Sequence, residues 1–248
     1  MQERKLEMER YAAVVLSAGT GKRMKSDIPK QYMLLDGKPV IYYSLKAFQE
    51  SPVSQIVLVC GKNDIAYCTK EIVQKYNLTK VSAIVAGGKE RYHSVYEGLK
   101  AIRGAEYVLI HDGARPMVDG EIIDRMIEGV RKEQACVAAM PVKDTIKLAN
   151  RNGYVEHTPD RSLLWQIQTP QAFSYPLIKS AYETILDEGR RQDAGIDDSV
   201  VITDDAMAAE LVTGRKVRLI EGSYKNIKIT TPEDIGVAEF FLQSRKKI

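Results

Sequence analysis

Short apolar runs alternate along this chain with stretches whose apolar residues recur at helical spacing, and this alternation constrains the fold more than any other feature. The runs are rich in valine and isoleucine and are bounded by turn residues; they are Tyr11–Leu16, Gln55–Cys60, Val81–Val85, Tyr107–Ile110 and Ala135–Met140. The helical stretches between them are Val40–Gln49, Asp64–Tyr76, Arg91–Ile102 and Glu121–Lys132. This order predicts an α/β fold with a Rossmann-like, mainly parallel sheet and helices on both faces.

The regular alternation stops after Met140. An extended stretch, a turn at Asn150–Gly153 and a returning strand at Tyr154–His157 predict a β-hairpin arm over residues 141–162 that projects from the body. The elements predicted after the arm are a strand at Leu163–Gln168, helices at Pro176–Glu188 and Asp204–Leu211, a strand at Val217–Ile220 and a helix from Thr231. We therefore predict one domain over residues 11–243, with residues 1–10 as an N-terminal extension.

The charge balance and the cysteine content exclude several classes of protein. The 36 lysine and arginine residues against 33 acidic ones give a net charge of +3, which is not the concentrated basic face of a nucleic-acid binder. Three cysteines without a CxxC motif favour reduced thiols. The first ten residues lack the apolar core of a signal peptide, and no apolar run is as long as a membrane span. We expect a cytoplasmic protein that binds neither nucleic acid nor membranes.

A glycine loop follows the first predicted strand and reads Ser17-Ala18-Gly19-Thr20-Gly21-Lys22-Arg23-Met24. The dinucleotide fingerprint requires a third glycine where Met24 stands, and the Walker loop requires Ser or Thr after Gly-Lys. The loop instead carries cations: Lys22, Arg23, Lys25 and Lys30. Such charges suit a triphosphate and a phosphorus centre under attack, although a solvated basic turn fits the same residues.

Further polar clusters follow the other predicted strands. Gly87-Gly88 with Ser94 can hold the edge of a base or form a turn and helix cap, and Asp112 can bind Mg²⁺ or a hydroxyl or cap a turn. His111 is expected to be packed or hydrogen-bonded rather than catalytic. Lys228 lies between two isoleucines, where an anionic partner would offset its burial. Neither GxSxG nor HExxH occurs, and the histidines and cysteines lack metal-ligand spacing.

Taken together, these segments resemble the 2-C-methyl-D-erythritol 4-phosphate cytidylyltransferase family of the non-mevalonate isoprenoid pathway. The resemblance extends from about Tyr11 to Gln243. It rests on the ordered motifs SAGTGKRM, PKQY, GGKERYHSV, HDGARP, PVKDTIK, DRSLLWQIQTPQAF, TDDA and NIKITTPED. It implies the transfer of CMP from CTP to the 4-phosphate of methylerythritol, with Mg²⁺ held mainly by the CTP phosphates and pyrophosphate released.

The resemblance also implies roles for individual residues. The implied catalytic residues are Arg23 and Lys30, which would stabilise the α-phosphate, and Arg161 and Lys228, which would position the sugar phosphate. The implied CTP-binding residues are Ser17, Ala18, Gly19, Gly21, Lys22, Gly88, Lys89 and Ser94. The implied substrate-binding residues are Asp112, which is also a candidate metal ligand, Thr145, Arg161, Thr169, Thr203, Lys228 and Thr230. A homodimer is implied in which the arm, with Thr145 and Arg161, enters the partner's site.

The sequence departs from the family pattern at two positions, and three other functions stay open. The family often has alanine where Ser17 stands and an acidic residue where Lys89 stands, so a side-chain contact of Lys89 with the base is in doubt. A ribitol-5-phosphate cytidylyltransferase would share the fold, loop and reaction. An NAD-binding dehydrogenase is disfavoured by the missing third glycine, and a dimeric binding module without activity would release no pyrophosphate.

Overall fold

The computed structural model describes residues 10–19, 24, 28–197 and 199–246. The strands are β1 (Tyr11–Ser17), β2 (Leu34–Leu35), β3 (Lys38–Pro39), β4 (Gln55–Cys60), β5 (Val81–Ala86), β6 (Tyr107–Asp112), β7 (Ala135–Pro141), β8 (Leu148–Ala149), β9 (Val155–His157), β10 (Trp165–Ser174) and β11 (Arg218–Glu221). The helices are α1 (Val40–Gln49), α2 (Ile65–Tyr67), α3 (Arg91–Ala101), α4 (Gly120–Glu133), α5 (Tyr175–Leu186), α6 (Glu188–Asp193), α7 (Asp205–Thr213) and α8 (Glu233–Lys246). A π-helical segment, Cys68–Gln74, continues α2.

Seven strands form the main sheet in the order β11-β7-β10-β6-β1-β4-β5. All of its neighbouring pairs are parallel except the two pairs of β10, which runs antiparallel to both β6 and β7. Successive side chains of β1 point to opposite faces of the sheet, so the core has one part on each face. Ala13 and Val15 pack with α1, the π-helical segment and α4, whereas Ala12 and Val14 pack with α3, α5 and α7. The predicted α/β sheet with helices on both faces is therefore confirmed.

Two predicted elements after the arm differ from the structure. The strand predicted at Leu163–Gln168 begins at Trp165 and continues to Ser174, six residues beyond its predicted end. Proline is uncommon inside a central strand because it donates no ladder hydrogen bond. Here Pro170 is accommodated by a register shift between Ile167 and Gln171. The helix predicted at Pro176–Glu188 ends at Leu186, and a separate helix, α6, follows.

The strands of the central part of the sheet end level with one another. Ser17 is paired with Cys60 and Cys60 with Ala86, while Leu16 is paired with Asp112. Because β1, β4, β5 and β6 are parallel, the loops that follow them meet along one edge. This carboxyl edge brings together the predicted glycine loop, the double glycine and Asp112.

Within the stretch predicted to form the arm, β8 and β9 pair as a small antiparallel hairpin. The whole of β8 and β9 is exposed, including Leu148 and Val155. The three cysteines of the chain are free and buried. In the part of the chain that the structure describes, no helix is long and apolar enough to cross a membrane.

Candidate active site

A cavity of about 440 Å³ lies at the carboxyl edge of the sheet. Its walls come from the loops after β1, β5 and β6, from the segment before β2 and from the loop before α8. The lining residues that carry predicted roles are Ser17, Ala18, Gly19, Lys30, Gly88, Lys89, Ser94, Asp112 and Lys228. Residues separated by more than 200 positions in the chain thus surround one cavity large enough for a nucleotide.

A buried glutamine binds the backbone at the start of the glycine loop that follows β1. Gln31 Nε2 donates to the carbonyl oxygen of Ser17 at 2.6 Å and to that of Gly19 at 3.1 Å. Its neighbour Lys30 lines the cavity, and Lys30 Nζ donates to the carbonyl oxygen of Ile229 at 2.8 Å. Within the PKQY motif, Lys30 therefore brings a cation to the cavity, and the following Gln31 fixes the backbone of Ser17 and Gly19.

The double glycine after β5 is required by the close approach of two loops. A Cβ on Gly87 would overlap the side chain of Ala18 and lie 2.7 Å from Ser94 Oγ. Ser94 Oγ accepts a hydrogen bond from the Gly88 amide at 3.1 Å and donates to the carbonyl oxygen of Glu90 at 3.2 Å. Ser94 thus holds Gly88 at the cavity wall, where backbone groups can meet the edge of a base.

Four charged side chains form a connected network between the sheet edge and α7. Lys228 Nζ donates to Asp112 Oδ2 at 2.6 Å, and Arg91 Nε donates to Asp112 Oδ1 at 3.2 Å. The two terminal nitrogens of Arg91 form a bidentate pair with Asp205, both at 2.8 Å. The expected anionic partner of Lys228 is therefore Asp112.

The network keeps Asp112 ionised. Burial alone would raise the pKa of this carboxyl group, but the positive charges of Arg91 and Lys228 outweigh burial and hold the pKa of Asp112 well below its ordinary value. Asp112 is therefore an anion at every pH at which the protein would be assayed.

His111 is buried behind Asp112, and its hydrogen bonds define its tautomer. Complete burial lowers the pKa of His111 to about 4, so the imidazole is neutral near pH 7. Nε2 lies 3.2 Å from the carbonyl oxygen of Arg115, which can only accept, so Nε2 carries the proton. Nδ1 then accepts from the Thr169 hydroxyl at 3.0 Å, and the oxygen of that hydroxyl accepts from the Asp112 amide at 3.1 Å. The prediction that His111 is hydrogen-bonded rather than catalytic agrees with this geometry.

A second cavity, of about 290 Å³, is also lined by Lys228. Arg115, Gln168, Tyr224 and Asn226 are among its other lining residues. Asn226 is fully buried; its Nδ2 donates to the carbonyl oxygen of Thr169 at 2.9 Å, and its Oδ1 has no hydrogen-bond partner among the described residues. Lys228 lines both cavities, and its ammonium group is hydrogen-bonded to Asp112.

The remaining predicted site residues do not line the larger cavity. Thr145 and Arg161 are exposed on the arm, where an Arg161 terminal nitrogen donates to the carbonyl oxygen of Lys143 at 3.0 Å. Thr169 is buried behind Asp112, and Thr203 is exposed beside the start of α7. Thr230 Oγ1 donates to the carbonyl oxygen of Lys228 at 3.0 Å and so supports the Lys228 loop.

Three of the predicted residues, Gly21, Lys22 and Arg23, lie outside the described residues. Conversely, sequence reasoning assigned no role to Arg91, Asp205 or Arg115. Arg91 and Asp205 belong to the GGKERYHSV and TDDA motifs, and Arg115 to HDGARP. Their charges are evident in the sequence, but Arg91 pairs with Asp205 across 114 positions of the chain and Arg115 bonds Asn226 across 111.

A parallel sheet with a nucleotide-sized cavity at its carboxyl edge, walled by a glycine loop, a double glycine and several cations, is typical of α/β enzymes of the nucleotidyltransferase class. A family model described as 2-C-methyl-D-erythritol 4-phosphate cytidylyltransferase (IspD) matches residues 11–244. The chain belongs to this family.

Relatives and solved structures agree with the family match. A 2-C-methyl-D-erythritol 4-phosphate cytidylyltransferase of Lachnospira eligens is 50% identical over 93% of this chain and 98% of its own length. Its counterpart in Lachnoclostridium phytofermentans is 45% identical over 96% and 99%. The crystal structure of 4-diphosphocytidyl-2C-methyl-D-erythritol synthase from Anaerococcus prevotii superposes with a TM-score of 0.79 at 35% identity, over 95% of this chain and 96% of that one.

Proposed function

We propose that the chain transfers CMP from CTP to 2-C-methyl-D-erythritol 4-phosphate and releases pyrophosphate. The observation that carries the proposal is the pair of cavities that share Lys228 in their walls. Two substrates can then meet beside one cation, which is the arrangement a direct displacement requires. Membership of a cytidylyltransferase family argues against the dehydrogenase and against the binding module without activity.

CTP is assigned to the larger cavity. The backbone of Gly88, held by Ser94, faces the base, and the backbone of Ser17, Ala18 and Gly19 faces the phosphates. Lys30 supplies a cation to the phosphates; Arg23, Lys22 and Gly21 would join it by resemblance to the family. Lys89 is exposed at the cavity wall, so its side chain can turn either to the nucleotide or to solvent.

The sugar phosphate is assigned to the smaller cavity. Lys228 provides an ammonium group there, and Arg115 and Asn226 provide buried polar groups with unpaired atoms. A buried polar atom without a partner is costly, and the hydroxyls of a polyol would satisfy it. This cavity therefore suits a small polyhydroxylated anion better than an apolar ligand.

The proposed chemistry is a single in-line displacement. A phosphate oxygen of the sugar phosphate attacks the α-phosphorus of CTP, one P–O bond forms, the bond to the β-phosphate breaks, and pyrophosphate leaves with the electron pair. The attacking group is already an anion, so no general base is needed. His111, which precedes Asp112 in the chain, is neutral, buried and committed to two hydrogen bonds. Lys30 and Arg23 would neutralise the charge that grows at the α-phosphate.

Mg²⁺ is proposed to arrive with CTP rather than to occupy a cage of protein ligands. No group of three or more His, Cys, Asp or Glu residues suited to a metal occurs among the residues that the structure describes. Both oxygens of Asp112 already pair with cations, which opposes a third cation there. Mg²⁺ commonly takes its ligands from substrate phosphates and water, and it would then neutralise triphosphate charge.

The arm is proposed to pack against a second copy of this chain. Two short strands are not stable alone, and this hairpin exposes large apolar side chains, with Tyr154 73% and Val155 58% exposed. Thr145 and Arg161 lie on the arm and outside the cavity of their own subunit. In a homodimer they would reach the substrate in the partner's cavity. The buried free cysteines suit the reducing cytoplasm where the dimer is expected to act.

The first experiment measures pyrophosphate release by the purified protein with CTP, Mg²⁺ and either methylerythritol phosphate or ribitol 5-phosphate. Release with methylerythritol phosphate alone is expected. Release with ribitol 5-phosphate alone would keep the reaction class and overturn the substrate. No release with either acceptor, from protein shown to be folded, would contradict the proposed function.

The second experiment mixes subunits that carry different defects. Arg161→Ala removes the arm's cation and Lys30→Ala removes the cavity's cation, so each homodimer is expected to be nearly inactive. Random re-association should restore about a quarter of the wild-type sites, because each mixed dimer combines one intact cavity with one intact arm. No recovery after verified subunit exchange would show that the arm serves its own subunit.

A further inference from the structure

Asp205 does not line the larger cavity, but several hydrogen bonds hold its carboxylate in place. Its side chain is fully buried at the start of α7, and it accepts three hydrogen bonds. Two come from the terminal nitrogens of Arg91, and the third comes from the hydroxyl of Tyr182 on α5. Each oxygen of Asp205 is thus paired, and two helices contribute to holding the carboxylate in one orientation.

Because it binds Arg91, this buried carboxylate determines which oxygen of Asp112 pairs with Arg91 and which pairs with Lys228. Arg91 gives both terminal nitrogens to Asp205, so only its Nε is turned to Asp112, where it bonds Oδ1 at 3.2 Å. The second oxygen, Oδ2, is left to Lys228, which binds it at 2.6 Å. The planar guanidinium group can serve two carboxylates in this way because its donors have fixed directions.

Without the negative charge of Asp205, Arg91 would bind Asp112 through two nitrogens and not through Nε alone. A guanidinium group prefers a bidentate pair with a carboxylate, and Asp112 would be the remaining carboxylate in contact with it. Turning both nitrogens to Asp112 would occupy Oδ2 and release Lys228. The position of the Lys228 ammonium group on Asp112 therefore depends on Asp205, although the Lys228 and Asp205 side chains share no hydrogen bond or ion pair.

We propose that Asp205, supported by Tyr182, is a positioning residue. It binds both terminal nitrogens of Arg91, so that only Nε of Arg91 binds Asp112, and it thereby holds Lys228 at the sugar-phosphate cavity. The inference rests on the proposed function, since it assumes that Lys228 binds the phosphate of the second substrate. A contribution to stability alone is a weaker explanation, because buried ion pairs seldom stabilise a fold more than apolar residues of the same size.

Steady-state kinetics of Asp205→Asn test the proposal. The substitution keeps the shape of the side chain and removes its charge. KM for methylerythritol phosphate is expected to rise about tenfold or more, while KM for CTP changes by less than about twofold. Asp204→Asn is the matched control: it makes the same chemical change one residue earlier, and asparagine caps a helix as well as aspartate. Equal effects of the two variants would overturn the proposal.

A double-mutant cycle with Lys228→Met separates positioning from general support of the fold. If Asp205 acts through Lys228, Asp205→Asn should add no more than about twofold to the defect of Lys228→Met. If the two losses in kcat/KM multiply, Asp205 acts independently of Lys228 and the inference is wrong while the proposed function stands. An unchanged KM for the sugar phosphate in Lys228→Met would overturn the assignment of Lys228 itself.

The thermal midpoint and CTP binding of each variant show whether it is folded. If Asp205→Asn does not fold, Tyr182→Phe takes its place, because it removes one of the three hydrogen bonds and keeps the ring that packs in the core. Its expected effect is a rise of about threefold in KM for the sugar phosphate, again absent in the Lys228→Met background. A rise that persists in that background would contradict the proposal.

Discussion

The buried, neutral His111 predicts how the stability of the protein depends on pH. Burial lowers its pKa from 6.5 to about 4; the charge of Asp112 and the hydrogen bond to the Arg115 backbone oppose this shift, and the positive charge of Arg115 adds to it. Below pH 6.5 the unfolded chain therefore binds a proton at this residue that the folded chain does not bind. The contribution of His111 to stability is present above pH 6.5 and is lost as the pH falls towards 4.

The size of the effect follows from the two pKa values. At about 1.4 kcal/mol per pKa unit, the difference between 6.5 and about 4 corresponds to a full loss of about 3 kcal/mol. Between pH 7 and pH 5 the linkage relation gives a loss of about 2 kcal/mol. For a chain of 248 residues, this loss lowers the midpoint of thermal unfolding by about 4–8 °C.

The measurement is the free energy of unfolding in urea at pH 5, 6 and 7 for the wild type and for His111→Asn. Asparagine does not titrate, and its oxygen can still accept the Thr169 hydroxyl in place of Nδ1. The variant will be less stable at pH 7 because it loses the ring contact with Phe48, so the slopes with pH are compared, not the absolute values. Parallel slopes for the two proteins would refute the claim that His111 is neutral in the fold.

Three further predictions concern the sheet edge and the chemistry. Gly113→Ala should lower the free energy of unfolding by about 1–3 kcal/mol, since the new Cβ would overlap Ile41 and lie 2.8 Å from the carbonyl oxygen of Leu16; Gly120→Ala, which meets nothing within 4 Å, is its control in the same urea titration. Lys30→Ala should mainly lower kcat in single-turnover assays, because its charge is needed most when pyrophosphate leaves, and a near-wild-type kcat would contradict its role. Excess chelator should abolish pyrophosphate release and added Mg²⁺ should restore it; activity that persists under chelation would show that no metal is needed.

Local patterns in the sequence were sufficient for most of the body of the fold. The main-sheet strands of the first half and their helices were predicted to within a residue or two, because apolar period and turn residues are local properties, whereas the short strands β2 and β3 were not predicted. The loops after β1, β5 and β6 were correctly placed together, since parallel strands must end at one edge. Strand β10 was predicted only in part, because a proline such as Pro170 is uncommon in a central strand and the compensating register shift depends on pairing with β7.

The sequence by itself determined which residues the site can draw on: the glycine loop, the cations of PKQY and NIKITTPED, and the carboxylate of HDGARP. It also indicated that Lys228 requires an anion. Only the tertiary structure decided that this anion is Asp112, 116 positions away, and that Arg91 divides its donors between Asp112 and Asp205, 114 positions away. The physical reason is that periodicity and turn chemistry act over a few residues. A contact between distant loops depends on strand order, on the antiparallel course of β10 and on which helix covers which face.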